Sequence, residues 1–247
     1  CCSCGDFAIW AGEDPRTNSM TNALAVDIGF DESEGAIAMD RADFRGLQRG
    51  GLDGCTWMPD GGRVSGCVFL DGVDDGVRLN RFNYTVYDIG NLCSEETHTL
   101  WFKPEDNRGT HLLYELGGGG QGRAIYLAAG SLYFGAFGDG SAWVAVPVTT
   151  GQWYHAAWSI RDGGTCTAYL NGFPVGSSST LTAIGRHSDQ SGMGRVWENT
   201  SLQSGGVSQD DGLHYSGMID EFRLYERALT LQEVRALCCD NAAPRVS

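Results

Sequence analysis

The run from Ser216 to Leu237, SGMIDEFRLYERALTLQEVRAL, constrains the fold most, because it joins an alternating strand to a capped helix across a short turn. Strict alternation from Met218 to Tyr225 places Met218, Asp220, Phe222 and Leu224 on one face and Ile219, Glu221, Arg223 and Tyr225 on the other. Asp220 thus falls among core residues, where a carboxylate is costly unless it is paired, hydrogen-bonded or bound to a metal. Its partner must come from elsewhere in the chain. Downstream, Thr230 and Glu233 have the spacing of a capping box, in which each satisfies a free backbone N–H of the other at a helix start. Leu229, Val234 and Leu237 would then pack a short helix onto the strands.

The rest of the chain reads as strands joined by tight turns. Glycine is abundant (36) and proline sparse (6), and 3.6-residue periods are nearly absent outside the C-terminal segment. THTLWFKP, HLLYELG, RAIYLAAG, SLYFGAFG and AWVAVPV each span about one strand, with glycine-rich joins. At 247 residues this pattern suits one all-β domain. We place it at 23–239, after an arm (1–22) and before a tail (240–247). Phe7, Ile9 and Trp10 give the arm an extended, partly apolar character suited to a neighbour's surface. Residues 185–212 are polar and rich in glycine and serine, which marks a long surface loop; Trp197 within it is the expected ligand-contact residue. The alternative for Trp197 is a side chain tucked into the sandwich.

A formal charge of −14 argues against nucleic acid and anionic membranes as partners and suits calcium. No apolar run approaches the roughly 18 to 20 residues of a membrane span. The nine cysteines, Cys1, Cys2, Cys4, Cys55, Cys67, Cys93, Cys166, Cys238 and Cys239, lack repeated zinc spacing, so disulfides in an oxidising, secretory compartment are expected. Asn83 and Asn199 head glycosylation sequons. The chain is read as a mature or excised secreted product.

Four stretches carry a family resemblance: G-x-I-D-E-x-R-x-Y-x-R-A-L-x-x-x-E-V from Gly217, CVFLDGVDDGV from Cys67, QWYHAAWSIRDGGTCTAYLNG from Gln152, and the opening LAVDIGFDE with EGAIAMD. Together they resemble the laminin-G-like domains of the concanavalin A-like lectin/glucanase superfamily. The resemblance implies a two-sheet antiparallel jelly-roll sandwich with one short C-terminal helix. It also implies that Asp220 and Asp40 are ligands of a structural Ca2+, and Asp43 would restore a carboxylate in a loop where Ala42, Asp43 and Phe44 replace the family's Ser, Gly and Asn. Six to eight oxygens at about 2.3 to 2.6 Å are what calcium takes. Asp71, Asp74 and Asp75 read either as further ligands or as tight-turn formers.

Cys55 and Cys67 flank the turn at Pro59–Gly62 and are expected to be cross-linked; Cys93 with Cys166 is a further candidate pair. Because jelly rolls bring their termini together, Cys1, Cys2 or Cys4 are candidates to pair with Cys238 and Cys239. One cysteine is left over, which suggests a link between chains or a free thiol. No glycosidase carboxylate spacing, lyase string or G-x-S-x-G elbow occurs, so a non-catalytic protein is expected. The first functional reading is an extracellular structural or adhesive module, a subunit or repeat of a fibre or matrix that self-associates through its arm or binds other extracellular proteins. The alternative is a calcium-stabilised carbohydrate-binding module, alone or cut from a larger glycan-active enzyme.

Overall fold

A computed structural model describes residues 23–42, 48–81, 95–161, 164–184, 190–205, 207–209 and 212–239. Two antiparallel sheets, each of eight strands, lie face to face. The first contains β1 (Leu24–Ile28), β4 (Thr56–Met58), β5 (Cys67–Asp71), β7 (Glu96–Pro104), β11 (Tyr154–Ile160), β12 (Cys166–Leu170), β13 (Phe173–Ser178) and β18 (Ser216–Tyr225). Its order is β13-β12-β11-β7-β18-β5-β4, with β1 also paired to β18. The second contains β2 (Ile37–Met39), β3 (Gln48–Asp53), β6 (Gly76–Arg81), β8 (Thr110–Gly117), β9 (Gly122–Ala128), β10 (Ser131–Pro147), β14 (Leu181–Ala183) and β15 (Gly192–Met193). Its order is β14-β10-β9-β8-β15-β6-β3-β2. A small ribbon of β16 (Asn199–Ser201) and β17 (Val207–Gln209) stands beside it.

Alternation explains the layering. Leu100 and Phe102 on β7, Trp158 on β11 and Phe222 on β18 meet Tyr114, Ile125, Leu127 and Phe134 from the opposite sheet in one dry core. The intervening residues face outward and are covered differently on the two sides. Over the first sheet, α1 (Leu231–Cys239) lays Val234 and Leu237 on Ala157, Tyr169 and Tyr225, with Leu229 beneath. The expected capping box is present: Glu233 N–H donates to Thr230 Oγ1 at 3.3 Å, and Thr230 N–H donates to Glu233 Oε2 at 2.8 Å. Burial raises the Glu233 carboxyl, but hydrogen bonds from Arg227 and Thr230 outweigh it and hold the group at about 2.

The face assignment of the last strand needs correction. Ile219 shares the core with Phe222 and Leu224, which strict alternation forbids. A β-bulge is the cause: the β18–β7 register passes from Asp220↔Trp101 to Arg223↔Thr99, so one extra residue sits on β18. Glu221 absorbs the kink at φ 49°. Asp220 is thereby turned to the outer side of the sheet, away from the core.

The cysteines also depart from expectation. Thr56 pairs with Phe69 and Met58 with Cys67, so Cys55 lies three ladder steps from Cys67, about 10 Å along the strand. That is beyond disulfide reach. Cys55 and Cys67 are free thiols, and burial pushes both to about 12. Cys166 is a buried free thiol as well. Cys93 lies outside the described residues, as do Cys1, Cys2 and Cys4; Cys238 is buried and Cys239 half-buried at the end of α1. Among the described residues no helix is long and apolar enough to cross a membrane.

Candidate functional site

One half of the outer face of the second sheet is built mainly from β9 and β10. The β10 ribbon doubles back at Gly138–Gly140, since Val148 N–H donates to Gly130 O at 3.0 Å and the Trp143 ring lies over Gly135. Gly140 has φ 84°, a conformation that glycine adopts without strain. Gly135 must be small for a second reason: a Cβ there would lie 2.0 Å from the Trp143 ring. The indole therefore lies flat on the sheet.

Around it the rings form two parallel pairs. Tyr126 and Tyr133 are direct register partners, with centroids 4.9 Å apart and planes 6° apart. Phe137 and Trp143 lie 5.9 Å apart at 10°. Trp143 also presents its edge to Tyr126 at 6.2 Å and 74°. Tyr126 and Phe137 are buried and form the foundation, while Tyr133 and Trp143 are half-buried and reach solvent. Tyr126 is fixed further by Gln203, whose N–H donates to its hydroxyl at 2.9 Å, and burial pushes the phenol to about 12. Ser201 donates to Gly119 O at 2.6 Å, clipping the 199–203 segment to the sheet. Leu202, Val196 and Leu213 fill beneath it. A half-exposed indole laid flat over a glycine, with the upright Tyr133 beside it, suits the apolar face of a sugar ring.

Trp197 is not the exposed contact residue expected of its loop. It is 7% exposed, sits over Gly192 and Gly76, and has Arg195 at 4.3 Å and Arg78 at 5.7 Å from its ring. Two glycines without side chains leave the space that draws the indole in. Its backbone N–H donates to Glu115 Oε1 at 2.7 Å.

The acidic residues divide into separate settings. Asp220 Oδ2 accepts N–H bonds from Arg63 (2.8 Å) and Val64 (2.9 Å), the remote partners its burial demands. Burial still raises its carboxyl to about 8, and Glu221 and Asp31 add to the rise against the lowering by those amides. Asp220 Oδ1 is buried without a hydrogen-bond partner. Asp40 Oδ1 accepts N–H bonds from Asp27 (2.8 Å) and Ala42 (2.9 Å). Asp43 lies outside the described residues. Nearby, Arg41 spans Asp27 (2.7 Å), Asp31 (2.9 Å) and Glu221 (3.2 Å), and Arg223 also binds Asp27 and Glu221. Asp71, Asp74 and Asp75 bring carboxylate oxygens within 4.8 Å of one another. Asp71 and Asp75 also act as turn caps, toward Val73 and Asp71 respectively. Of the sequons, Asn199 is half-buried on β16, and Asn83 lies outside the described residues.

Two opposed antiparallel sheets with a closing strand, bulge and capped helix define a jelly roll of the concanavalin A type. A family model described as the Concanavalin A-like lectin/glucanases superfamily matches residues 71–235, and the chain belongs to that superfamily. No curated protein matches the chain. Among solved structures, domain 4 of AbnA, a GH43 extracellular arabinanase from Geobacillus stearothermophilus, in complex with arabinotriose, superposes with a TM-score of 0.63 at 20% identity. The match covers 87% of this chain and 98% of that domain. The binding domain of botulinum neurotoxin serotype D gives 0.66 at 10% identity, covering 90% of this chain and 52% of that one. The binding domain of Paraclostridial Mosquitocidal Protein 1 gives 0.62 at 18%, covering 89% and 52%. This chain therefore spans about half of each toxin domain, and at such identities the likeness establishes the fold alone.

Proposed function

We propose that the chain is a non-catalytic, extracellular carbohydrate-binding module whose ligand lies across Tyr133 and Trp143. The observation that carries this reading is the half-exposed Trp143 ring laid over Gly135 and parallel to the buried Phe137, with half-exposed Tyr133 standing beside it against the buried Tyr126. Two of the similar structures are binding domains by name, and the arabinanase domain was solved with arabinotriose; these support a binding role without fixing the sugar. A glycan array that includes arabino-oligosaccharides tests it. The expected result is saturable binding at millimolar affinity or better that Trp143→Ala abolishes; an array blank at that affinity, or one unchanged by the substitution, contradicts it.

Self-association is a second reading, favoured by apolar side chains exposed on edge strands: Ile37 and Met39 on β2 and Phe173 on β13. The 1–22 arm proposed to drive it lies outside the described residues. Calcium at Asp40, Asp43 and Asp220 is likewise a proposal, supported by the buried, unpartnered Oδ1 of Asp220. Excess chelator is expected to lower the melting temperature, and an unchanged value removes calcium from the account.

A further inference from the structure

The other half of the same outer face holds a different feature. Across it, one row of register partners runs Ile37, Gly51, Arg78 and Gly192. Their neighbours Ala38, Gly50, Val77 and Met193 point inward, so the row faces out. Among the described residues, nothing lies nearer to the Cβ position of Gly51 than Arg78 O at 3.8 Å, so none of them covers the floor of the row. On one side stands the edge strand with Ile37 39% and Met39 47% exposed. On the other stands Trp197, laid over Gly192 so closely that a Cβ there would meet its Nε1 at 2.1 Å. Two strand spacings separate Ile37 from Arg78, about 10 Å, enough for one sugar ring.

Arg78 is the polar group at this groove. Its guanidinium lies 5.7 Å from the Trp197 ring, which limits where the side chain can point. Arg195, nearer the same indole at 4.3 Å, is neutralised by Asp53 at 2.7 Å and bonds Asp74 O at 2.9 Å. Arg78 has no carboxylate partner among the described residues, and its Nε is buried without an acceptor. In a chain with 31 acidic and 17 basic residues, a positioned guanidinium lacking a carboxylate is an electrostatic vacancy for an anion.

We infer that Arg78, with Gly51 as floor and Trp197 and Ile37 as walls, forms a subsite for a carboxylate-bearing saccharide, a uronate. The terminal nitrogens of Arg78 donate to the carboxylate, and the sugar ring rests over Gly51 against the apolar wall. That the ligand is a saccharide rests on the carbohydrate-binding reading; that it is an anion rests on Arg78 alone. Four strand spacings, about 19 Å, separate this subsite from Trp143, so each can be altered alone.

The test is calorimetric titration with trigalacturonate and with neutral galactotriose, on the full chain and its Arg78→Met, Arg78→Lys and Trp143→Ala variants. Melting temperatures verify that each variant is folded. Trigalacturonate should bind at least about tenfold more tightly than galactotriose, more weakly as salt rises, and should lose at least about tenfold in Arg78→Met. Arg78→Lys should recover part of that loss. Equal affinity for the two trisaccharides, no binding of trigalacturonate, or no effect of Arg78→Met each overturns the inference. Failure of the platform reading would appear separately, as neutral-glycan binding that Trp143→Ala leaves intact.

Discussion

The outer faces of the two sheets receive the same kind of side chains and treat them in opposite ways. On the first sheet, Ala157, Tyr169 and Tyr225 are closed under α1, and Asp27 and Glu221 are tied into a lattice with Arg41 and Arg223. On the second, Tyr126 and Phe137 are buried by their own neighbours, and Tyr133 and Trp143 are left half-open. A face that only stabilises should be covered and saturated with partners; a face that binds should keep ordered apolar area in contact with water. Substitutions on the first face should therefore alter stability and spare binding, while those on the second should do the reverse.

The largest stability effect should come from Leu229→Ala, which opens a cavity beneath α1 where the side chain is fully buried. Denaturant unfolding should show a loss of about 2–5 kcal/mol, with glycan affinity of the folded fraction unchanged. A loss of affinity equal to that of Trp143→Ala would break the comparison.

A smaller and pH-dependent effect is expected from Asp220. Its folded carboxyl, at about 8, lies above the unfolded value, so the folded state binds a proton that the unfolded chain has already released. Its contribution is fully present at low pH and declines as pH rises from about 4 toward about 8. Glu233 runs the other way: held at about 2, it stabilises above its unfolded value and loses that contribution as pH falls from about 4.5 toward 2. Asp220→Asn should flatten the upper slope in thermal melts and leave the lower one. An unchanged upper slope would mean that the carboxyl is ionised in the fold, as a bound calcium ion would require.

Much of this contrast was legible in the sequence, because alternation and capping are local. The strands of the meander, the box formed by Thr230 and Glu233, and the need of Asp220 for a distant partner all follow from spacing and burial cost. The bulge was not legible: Glu221 takes φ 49° without a glycine to announce it, held by Arg223 two residues on in the same strand and by Arg41 from a remote segment. Trp197 was misplaced because only the fold brings Gly192 and Gly76 beneath it. The platform was half visible. Tyr133, Gly135 and Phe137 share a face by alternation, but placing Trp143 over Gly135 and Tyr126 beside Tyr133 needs the register of two turns. Sequence reports which residues can share a face; pairing decides which of them touch.

The most direct test is a spectrum of the indole N–H groups of the seven tryptophans, titrated with the tightest-binding neutral oligosaccharide from the array. Stacking on the open face predicts that the Trp143 resonance shifts with saturation while those of Trp101 and Trp158, covered on or beneath the first sheet, stay in place. Saturable shifts at Trp101 with Trp143 unmoved would place the ligand on the other face and contradict the account.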